Sequence, residues 1–174
     1  MPEKIAIIMR GLPGSGKSWT ARALARTLKA LTGQAPVVVS ADDYFVGEDG
    51  VYRYVPHEQG EAHKQCLRRF MEATASGEVV VVDNTNTSAH ELSPYVGIAG
   101  VHDYTVHVVE MTTHPNACLR LQTHDVPEFV VGQMAARLRA PLPPYLCPGG
   151  VFEVDAERRV DVASLARDIC EFHD

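Results

Sequence analysis

The chain has 174 residues, 45% of them hydrophobic and 22% charged, which predicts one globular domain over residues 1–174 and excludes a disulfide-dependent miniprotein. Its 16 basic and 22 acidic side chains give a net charge of −6, which excludes the broad basic surface of a sequence-independent duplex binder. Any contact with nucleic acid is therefore expected at a short, local strip.

The cysteine spacing and the hydropathy pattern indicate the compartment. The four cysteines are widely spaced and form no C-x-x-C pair, which predicts reduced thiols and no zinc or redox site. No apolar run approaches the roughly 20 residues of a membrane-spanning helix, and residues 5–9 are too short for the core of a signal peptide. We expect a cytoplasmic protein, or one intracellular in a host cell, with no membrane partner and no obligate protein partner.

Buried strands alternate with amphipathic helices along the chain. Short runs rich in isoleucine and valine predict strands over residues 4–9, 37–39, 79–82, 104–111 and 151–154. Helical spacing predicts helices over residues 17–31, 57–75, 115–121, 127–138 and 162–172. One more helix starts either at Ser88, which has capping-box spacing to Glu91, or at Ser93 before Pro94. The alternation predicts a parallel sheet covered on both faces, a three-layer α/β/α sandwich that binds ligands beyond the carboxyl ends of its strands.

The strongest motif joins the first predicted strand to the first helix and reads Gly11-Leu12-Pro13-Gly14-Ser15-Gly16-Lys17-Ser18. It fits G-x-x-x-x-G-K-[ST] at every fixed position, in the strand–helix context that this pattern requires. Glycines let backbone N–H groups converge on phosphate oxygens, Lys17 reaches the β- and γ-phosphates, and the Ser18 hydroxyl ligates Mg²⁺. ATP and Mg²⁺ are the predicted cofactors, and the predicted ATP-binding residues are Pro13, Gly14, Ser15, Gly16, Lys17, Ser18 and Trp19.

Polar segments follow the second and third strands. In residues 40–45, SADDYF, one carboxylate is placed to take a proton from an acceptor hydroxyl, and a solvated turn or a helix cap is the alternative. In residues 83–88, DNTNTS, Asp83 occupies the place of a Walker-B carboxylate and is the second predicted Mg²⁺ ligand. Asn84 and Asn86 are candidate substrate-binding residues, with a polar turn and helix cap as an equally good interpretation.

Two further segments suggest an acceptor region and a lid. Residues 44–54 concentrate aromatic side chains around one arginine, which suits the stacking of a nucleobase, although a small core within the loop is the alternative. The candidate substrate-binding residues here are Asp43, Tyr44, Phe45 and Arg53, and Tyr52 and Tyr54 complete the aromatic group. The helix over residues 127–138 ends at Arg137, with Arg139 just beyond it. An arginine there would stabilise transition-state charge as part of a lid, whereas arginines at helix ends are commonly solvated.

Together these segments resemble the P-loop kinase family that includes the polynucleotide 5′-hydroxyl kinases and the Nedd4-binding-protein-2-like proteins. The matches are GLPGSGKS at 11–18, SADDYF at 40–45 and VVVDNTNT at 80–87, with shorter ones at 94–96, 124–127 and 134–137. The resemblance extends over residues 5–144 and implies a P-loop kinase fold with strand order 2-3-1-4-5 and a helical lid at about residues 115–140. It also implies that Asp42 is the general base, that Lys17 and Ser18 hold the phosphates and Mg²⁺, and that Arg137 acts in the lid.

The departures from the family pattern concern the acceptor more than the nucleotide. Phe45 stands where some polynucleotide kinases have an arginine, Leu121 stands where the lid often has one, and Trp19 replaces a frequent threonine. The expected function is an ATP-dependent kinase of a hydroxyl on a nucleic acid or nucleotide, with a polynucleotide 5′-hydroxyl first among the acceptors. A hydroxymethylated base in DNA or a small metabolite is the alternative within the same chemistry. A non-catalytic nucleotide-binding adaptor is the alternative of another class.

Overall fold

The structure, a computed structural model, describes residues 4–158 and 160–171. Its strands are β1 (Ile5–Arg10), β2 (Val37–Val39), β3 (Val80–Val82), β4 (Thr105–Met111) and β5 (Val151–Val154). All pair in parallel in the order β2-β3-β1-β4-β5, which confirms the predicted order. In the central strand, Ile8 is in register with Val82 on one side and with Val108 on the other.

The helices cover both faces of the sheet, as predicted for a three-layer sandwich. They are α1 (Lys17–Thr32), α2 (Gln59–Ala75), α3 (Ala89–Val101), α4 (Pro115–Leu121), α5 (Glu128–Leu138) and α6 (Val162–Glu171). Because side chains alternate along a strand, Ile8 packs in the core beneath α2 and α3, whereas Ile7 packs in the core beneath α1 and α6. Within the described ranges, no helix has the length and apolar content to cross a bilayer.

The helix boundaries agree with the sequence analysis to within one residue, apart from the start of α2 and the open choice at the start of α3. A 3₁₀ turn over Pro56–Glu58 precedes α2, so that helix begins two residues later than predicted. Helix α3 begins after Ser88, because the Glu91 carboxylate accepts the backbone N–H of Ser88 at 3.2 Å and completes a capping box. The alternative start at Ser93 is wrong. The predicted last residue of α6, Phe172, lies outside the described residues.

Helices α4 and α5 form the predicted lid segment, residues 115–140, and have a small core of their own. Leu12 of the P-loop packs into that core with Cys118 and Val131. At the other end of the segment, the buried Arg10 guanidinium pairs with Glu110 and donates to the Ala140 carbonyl at 3.2 Å. The lid segment is therefore attached both to the P-loop and to the end of the central strand.

Candidate active site

The P-loop leaves β1 and enters α1 through three glycines with positive φ, the first of which is Gly11 at 148°. Gly14 has φ 77° and Gly16 has φ 90°, values that L residues with a side chain rarely adopt. Gly14 also lies against the lid, because a Cβ built there would stand 2.2 Å from the Cys118 carbonyl oxygen. Gly16 caps α1 with no side-chain hydrogen bond, so the first N–H groups of the helix are not capped by a side chain. Such helix N-termini bind phosphate.

Lys17 lies buried at the floor of the P-loop. Its Nζ donates to the Leu12 carbonyl at 2.5 Å and to the Ser15 hydroxyl at 3.5 Å. Burial lowers the pKa of Lys17 to about 8, although the nearby Asp83 and Asp42 carboxylates oppose that shift. A buried ammonium with neutral hydrogen-bond partners is well suited to compensate the charge of a bound phosphate.

Asp83 and Ser18 form the candidate magnesium site. Burial raises the pKa of Asp83, while a hydrogen bond from Ser18 and the charge of Lys17 oppose the change. Within residues 4–158 and 160–171, no group of three or more His, Cys, Asp or Glu side chains could hold a metal ion. A hydroxyl beside one carboxylate nevertheless fits Mg²⁺, which commonly takes one or two protein ligands together with substrate phosphates and water.

Asp42 lies in a 3₁₀ turn over Ala41–Phe45 that two side chains hold against the end of β3. The Ser40 hydroxyl accepts the Asp42 N–H at 3.2 Å and donates to the Asp83 carbonyl at 2.9 Å. The Asn84 carboxamide oxygen accepts the Ala41 N–H at 2.9 Å. These bonds place the carboxylate of Asp42 at the carboxyl edge of the sheet, close enough to raise the pKa of Asp83.

Two rings contact the Asp42 carboxylate from the acceptor side. The Tyr52 hydroxyl donates to Oδ1 at 3.3 Å, and His124 Nε2 lies 3.8 Å from Oδ2. The Tyr52 and His124 rings are in contact, with centroids 4.4 Å apart and planes tilted by 44°. Since His124 belongs to the loop between α4 and α5, the lid segment reaches the proposed base directly.

A cavity of about 680 Å³ connects the P-loop to this carboxylate. We call the part beside the P-loop the nucleotide half and the part beside Asp42 the acceptor half, after the roles predicted for them. The nucleotide half includes all the predicted P-loop residues except Ser15, which is fully buried. The acceptor half includes Asp42, Phe45 and Asn84 among the predicted residues. Tyr52 and Tyr54, which complete the predicted aromatic group, also border this half. The sequence analysis did not select three other side chains found there, those of Gln59, His63 and His124. The Gln59 and His63 pair stands one helical turn apart on α2, a spacing visible in the sequence but uninformative until the helix is placed.

Several predicted substrate-binding residues do not line the cavity. Asp43 pairs with Arg69 at 2.5 Å, and Arg53 pairs with Asp49 at 2.6 Å. Tyr44 packs edge-on against Phe45, with ring centroids 5.2 Å apart.

The two asparagines are engaged with the protein itself. The Asn84 amide nitrogen donates to the Tyr95 hydroxyl at 3.2 Å, and its oxygen is taken by Ala41, so its contacts support the Asp42 turn although it borders the cavity. Asn86 is buried, adopts φ 43° and donates its amide to the Met9 carbonyl at 2.8 Å. These bonds favour the interpretation of both asparagines as parts of a polar turn over a direct role in binding substrate.

Arg137 lies exposed in the last turn of α5 and does not border the cavity. It does follow Val130 and Met134 at helical spacing, and those two side chains of α5 border the cavity. Arg137 therefore lies along the stripe of α5 that faces the site, one turn beyond its edge.

Comparison with known proteins identifies the family. A family model described as an AAA domain matches residues 7–141. NEDD4-binding protein 2 of Homo sapiens is 36% identical over 135 residues, which are 75% of this chain and 7% of that protein. YLP motif-containing protein 1 of Rattus norvegicus is 25% identical over 158 residues, 80% of this chain and 12% of that protein. The chain therefore spans only a small part of these curated relatives.

Solved structures share the fold at low sequence identity. Kti12 of Chaetomium thermophilum, in complex with ADP-AlF3, has a TM-score of 0.67 at 13% identity, covering 95% of this chain and 97% of that one. The APS kinase CysC of Mycobacterium tuberculosis, in complex with AMPPNP and APS, has a TM-score of 0.62 at 16% identity over 99% of both chains. The Pnkp1/Rnl/Hen1 RNA repair complex has a TM-score of 0.64 at 19% identity, covering 80% of this chain and 45% of that one.

The family match extends from β1 to the end of the lid segment. The chain therefore belongs to the family described as an AAA domain, and its P-loop lies within the matched residues.

Proposed function

We propose that this chain is an ATP- and Mg²⁺-dependent kinase that transfers the γ-phosphoryl group to a hydroxyl of a nucleic acid or nucleotide. The 5′-hydroxyl of a DNA or RNA end is the first acceptor to test. The observation that carries the proposal is the cavity that joins the P-loop to the Asp42 carboxylate. A nucleotide-binding adaptor requires the P-loop but has no chemical use for a carboxylate held beside it.

Phosphoryl transfer depends mainly on positioning and on neutralising charge at the transferring group. In the proposed reaction, Lys17 Nζ exchanges the Leu12 carbonyl for a phosphate oxygen. Asp42 accepts the proton of the acceptor hydroxyl, whose oxygen bonds to the γ-phosphorus as the bond to the bridging oxygen of ADP breaks. Mg²⁺ held by Ser18 and Asp83 would neutralise charge on the β- and γ-phosphate oxygens.

The acceptor is the finer part of the proposal. The structural relatives include an RNA repair complex and a kinase bound to APS, so their likeness supports a phosphotransferase without choosing its acceptor. Aromatic rings in the acceptor half of the cavity favour a ring-bearing acceptor such as a nucleoside.

The test measures transfer of ³²P from [γ-³²P]ATP to 5′-hydroxyl DNA and RNA oligonucleotides, with and without EDTA. Native protein is compared with Lys17→Ala and with Lys29→Ala, an exposed lysine in the last turn of α1 that controls for loss of charge. We expect transfer that requires Mg²⁺ and Lys17 but not Lys29. Binding of ATP without transfer to these acceptors, to hydroxymethyl-base DNA or to small alcohols would establish the adaptor alternative instead.

A further inference from the structure

We propose that the acceptor half of the cavity binds an uncharged, hydroxyl-bearing ring and makes no required contact with a phosphate on the acceptor. This inference rests on the proposed kinase function and specifies its substrate class. A polynucleotide end would then be recognised through its terminal nucleoside alone. A free nucleoside would serve nearly as well.

The charges around the cavity carry the argument. Among residues 4–158 and 160–171, Lys17 is the one lysine or arginine that borders it, and Lys17 lies in the P-loop. Three carboxylates border it, those of Asp42, Asp83 and Asp125. An acceptor phosphate placed beside Asp42 would meet a like charge with no arginine or lysine to compensate it.

Arg53, which stands between Tyr52 and Tyr54 in the sequence, and Arg69 of α2 both have carboxylate partners. Arg53 donates twice to Asp49, at 3.0 Å and 2.6 Å, although it lies between the two tyrosines that border the cavity. Arg69 donates to Asp43 at 2.5 Å and to the Val38 carbonyl at 3.4 Å. A phosphate engaged by either arginine would compete with the carboxylate that already neutralises its charge.

Aromatic faces take the place of cations in this half. Phe45 has Tyr54 at a centroid distance of 5.0 Å and Tyr52 at 6.0 Å, both in edge-on geometry. Tyr54 is 48% exposed, so much of its ring is accessible. Exposed rings beside a cavity suit stacking of a flat acceptor, an interaction that needs no acceptor charge.

Two polar side chains of α2 complete the subsite. Gln59 and His63 both border the cavity, and the Gln59 side-chain oxygen accepts the Tyr54 hydroxyl at 3.3 Å. Amide and imidazole groups offer donors and acceptors that match a base edge or a sugar hydroxyl. We therefore assign ring stacking to Tyr54 and edge recognition to Gln59 and His63.

The first experiment compares kcat/KM for adenosine, adenosine 3′-monophosphate and a 5′-hydroxyl oligonucleotide at saturating ATP, over a salt series. We expect the three values to agree within about tenfold, with a shallow salt dependence. If adenosine is more than tenfold worse than its 3′-phosphate, the inference is wrong and the kinase function stands. If none of the three is phosphorylated, the proposed function itself fails.

The second experiment adds charge to the subsite. Gln59→Arg would supply the missing cation and should raise kcat/KM for the 3′-monophosphate over adenosine by about tenfold. His57→Arg adds the same charge two residues away, at an exposed side chain that does not border the cavity, and should leave that ratio unchanged. Equal ratios in both variants would contradict the assignment of this half as the acceptor subsite.

The third experiment removes the stacking ring. Tyr54→Ala should reduce kcat/KM for adenosine by about tenfold while leaving KM for ATP unchanged. Tyr145→Ala removes a still more exposed tyrosine that does not border the cavity and should change neither value. If Tyr54→Ala behaves like Tyr145→Ala, the ring does not bind the acceptor.

Discussion

The carboxamide oxygen of Asn84 accepts the backbone N–H of Ala41 at 2.9 Å, across 43 residues of sequence and one residue before the proposed base. The same carboxamide donates to the Cys66 sulfur of α2 and to the Tyr95 hydroxyl of α3, two buried side chains. The buried contacts therefore fix the orientation of the Asn84 carboxamide, and the carboxamide in turn fixes the turn that carries Asp42. Asn84 acts through this turn, as a positioning residue.

Replacing Asn84 with alanine should lower kcat about 10- to 100-fold, because a displacement of about 1 Å at a reacting group can cost about 10²-fold. KM for ATP should change little, since the P-loop is untouched. Tyr95→Phe is the control, because it keeps the bond from Asn84 to Ala41 and removes only the tyrosine hydroxyl. Steady-state kinetics with both substrates varied will test this. A Tyr95→Phe variant as slow as Asn84→Ala would show that the buried hydroxyl matters more than the bond to Ala41.

Asp42→Asn should lower the rate of transfer by about 10²–10⁴, the usual range for loss of a general base, with ATP affinity nearly intact. Asp43→Asn should have a much smaller effect, because that carboxylate faces Arg69 outside the cavity. The measurement is single-turnover transfer at saturating ATP. Greater sensitivity at Asp43 would place the base one residue further along the turn.

The parallel α/β/α sandwich and the P-loop were predictable because each depends on local pattern, whereas the strand order was implied by the family resemblance. Ile5 to Met9 form an unbroken apolar run before a complete phosphate-binding motif, and alternation with helices leaves few possible sheets. The start of α3 was left open because Ser88 and Pro94 each match a helix-start pattern. The completed capping box decides it, and Pro94 lies inside the helix.

The composition of the site was predictable only in part. Asn84 and Asn86 are two residues apart in the same polar segment, and only the fold shows that their bonds go to Ala41 and to Met9. His63 borders the cavity only because of where α2 packs against the sheet, which no spacing in the sequence encodes. The local pattern around Arg53 likewise gave no sign that its charge is already paired with Asp49.

Lys17→Met should abolish transfer and, without nucleotide, stabilise the fold. Lowering the pKa of Lys17 from 10.5 to about 8 corresponds to roughly 3 kcal/mol of electrostatic cost in the folded state. Below pH 8 Lys17 is charged in both the folded and the unfolded state, so the folded native protein bears the full electrostatic cost of burying the ammonium. Between pH 8 and 10.5 the unfolded state binds more protons, so native stability rises with pH and the advantage of Lys17→Met shrinks. Denaturant unfolding of both proteins in EDTA will measure that difference.

His124→Ala should lower kcat about tenfold by releasing the Asp42 carboxylate from its contact with the lid segment, an effect of misplacement rather than of lost chemistry. Tyr52→Phe should have an effect of similar size, since the Tyr52 hydroxyl is the other side-chain contact at that carboxylate. His90→Ala, an exposed histidine of α3 that does not border the cavity, is the control. The double variant His124→Ala, Tyr52→Phe should lose less kcat than the product of the two single losses, because both side chains hold the same carboxylate. A loss equal to that product would show that the two residues act independently.

Arg137→Ala should lower kcat more than it lowers ATP affinity, because a lid arginine acts on charge that develops during transfer, where it can contribute about 10³-fold or more. The α5 stripe of Val130 and Met134 leads to Arg137, so closure of the lid segment over bound nucleotide would bring the guanidinium toward the phosphates.

Arg139→Ala is the matched control for Arg137→Ala, because Arg139 is also exposed but lies two residues further, at the C-cap of α5. The measurement is kcat together with the dissociation constant of ATP, obtained from quenching of the single tryptophan, Trp19, which borders the nucleotide half of the cavity. Native kinetics in Arg137→Ala with a slow Arg139→Ala would transfer the lid role to Arg139. Native kinetics in both would leave Lys17 and Mg²⁺ as the groups that compensate the phosphoryl charge.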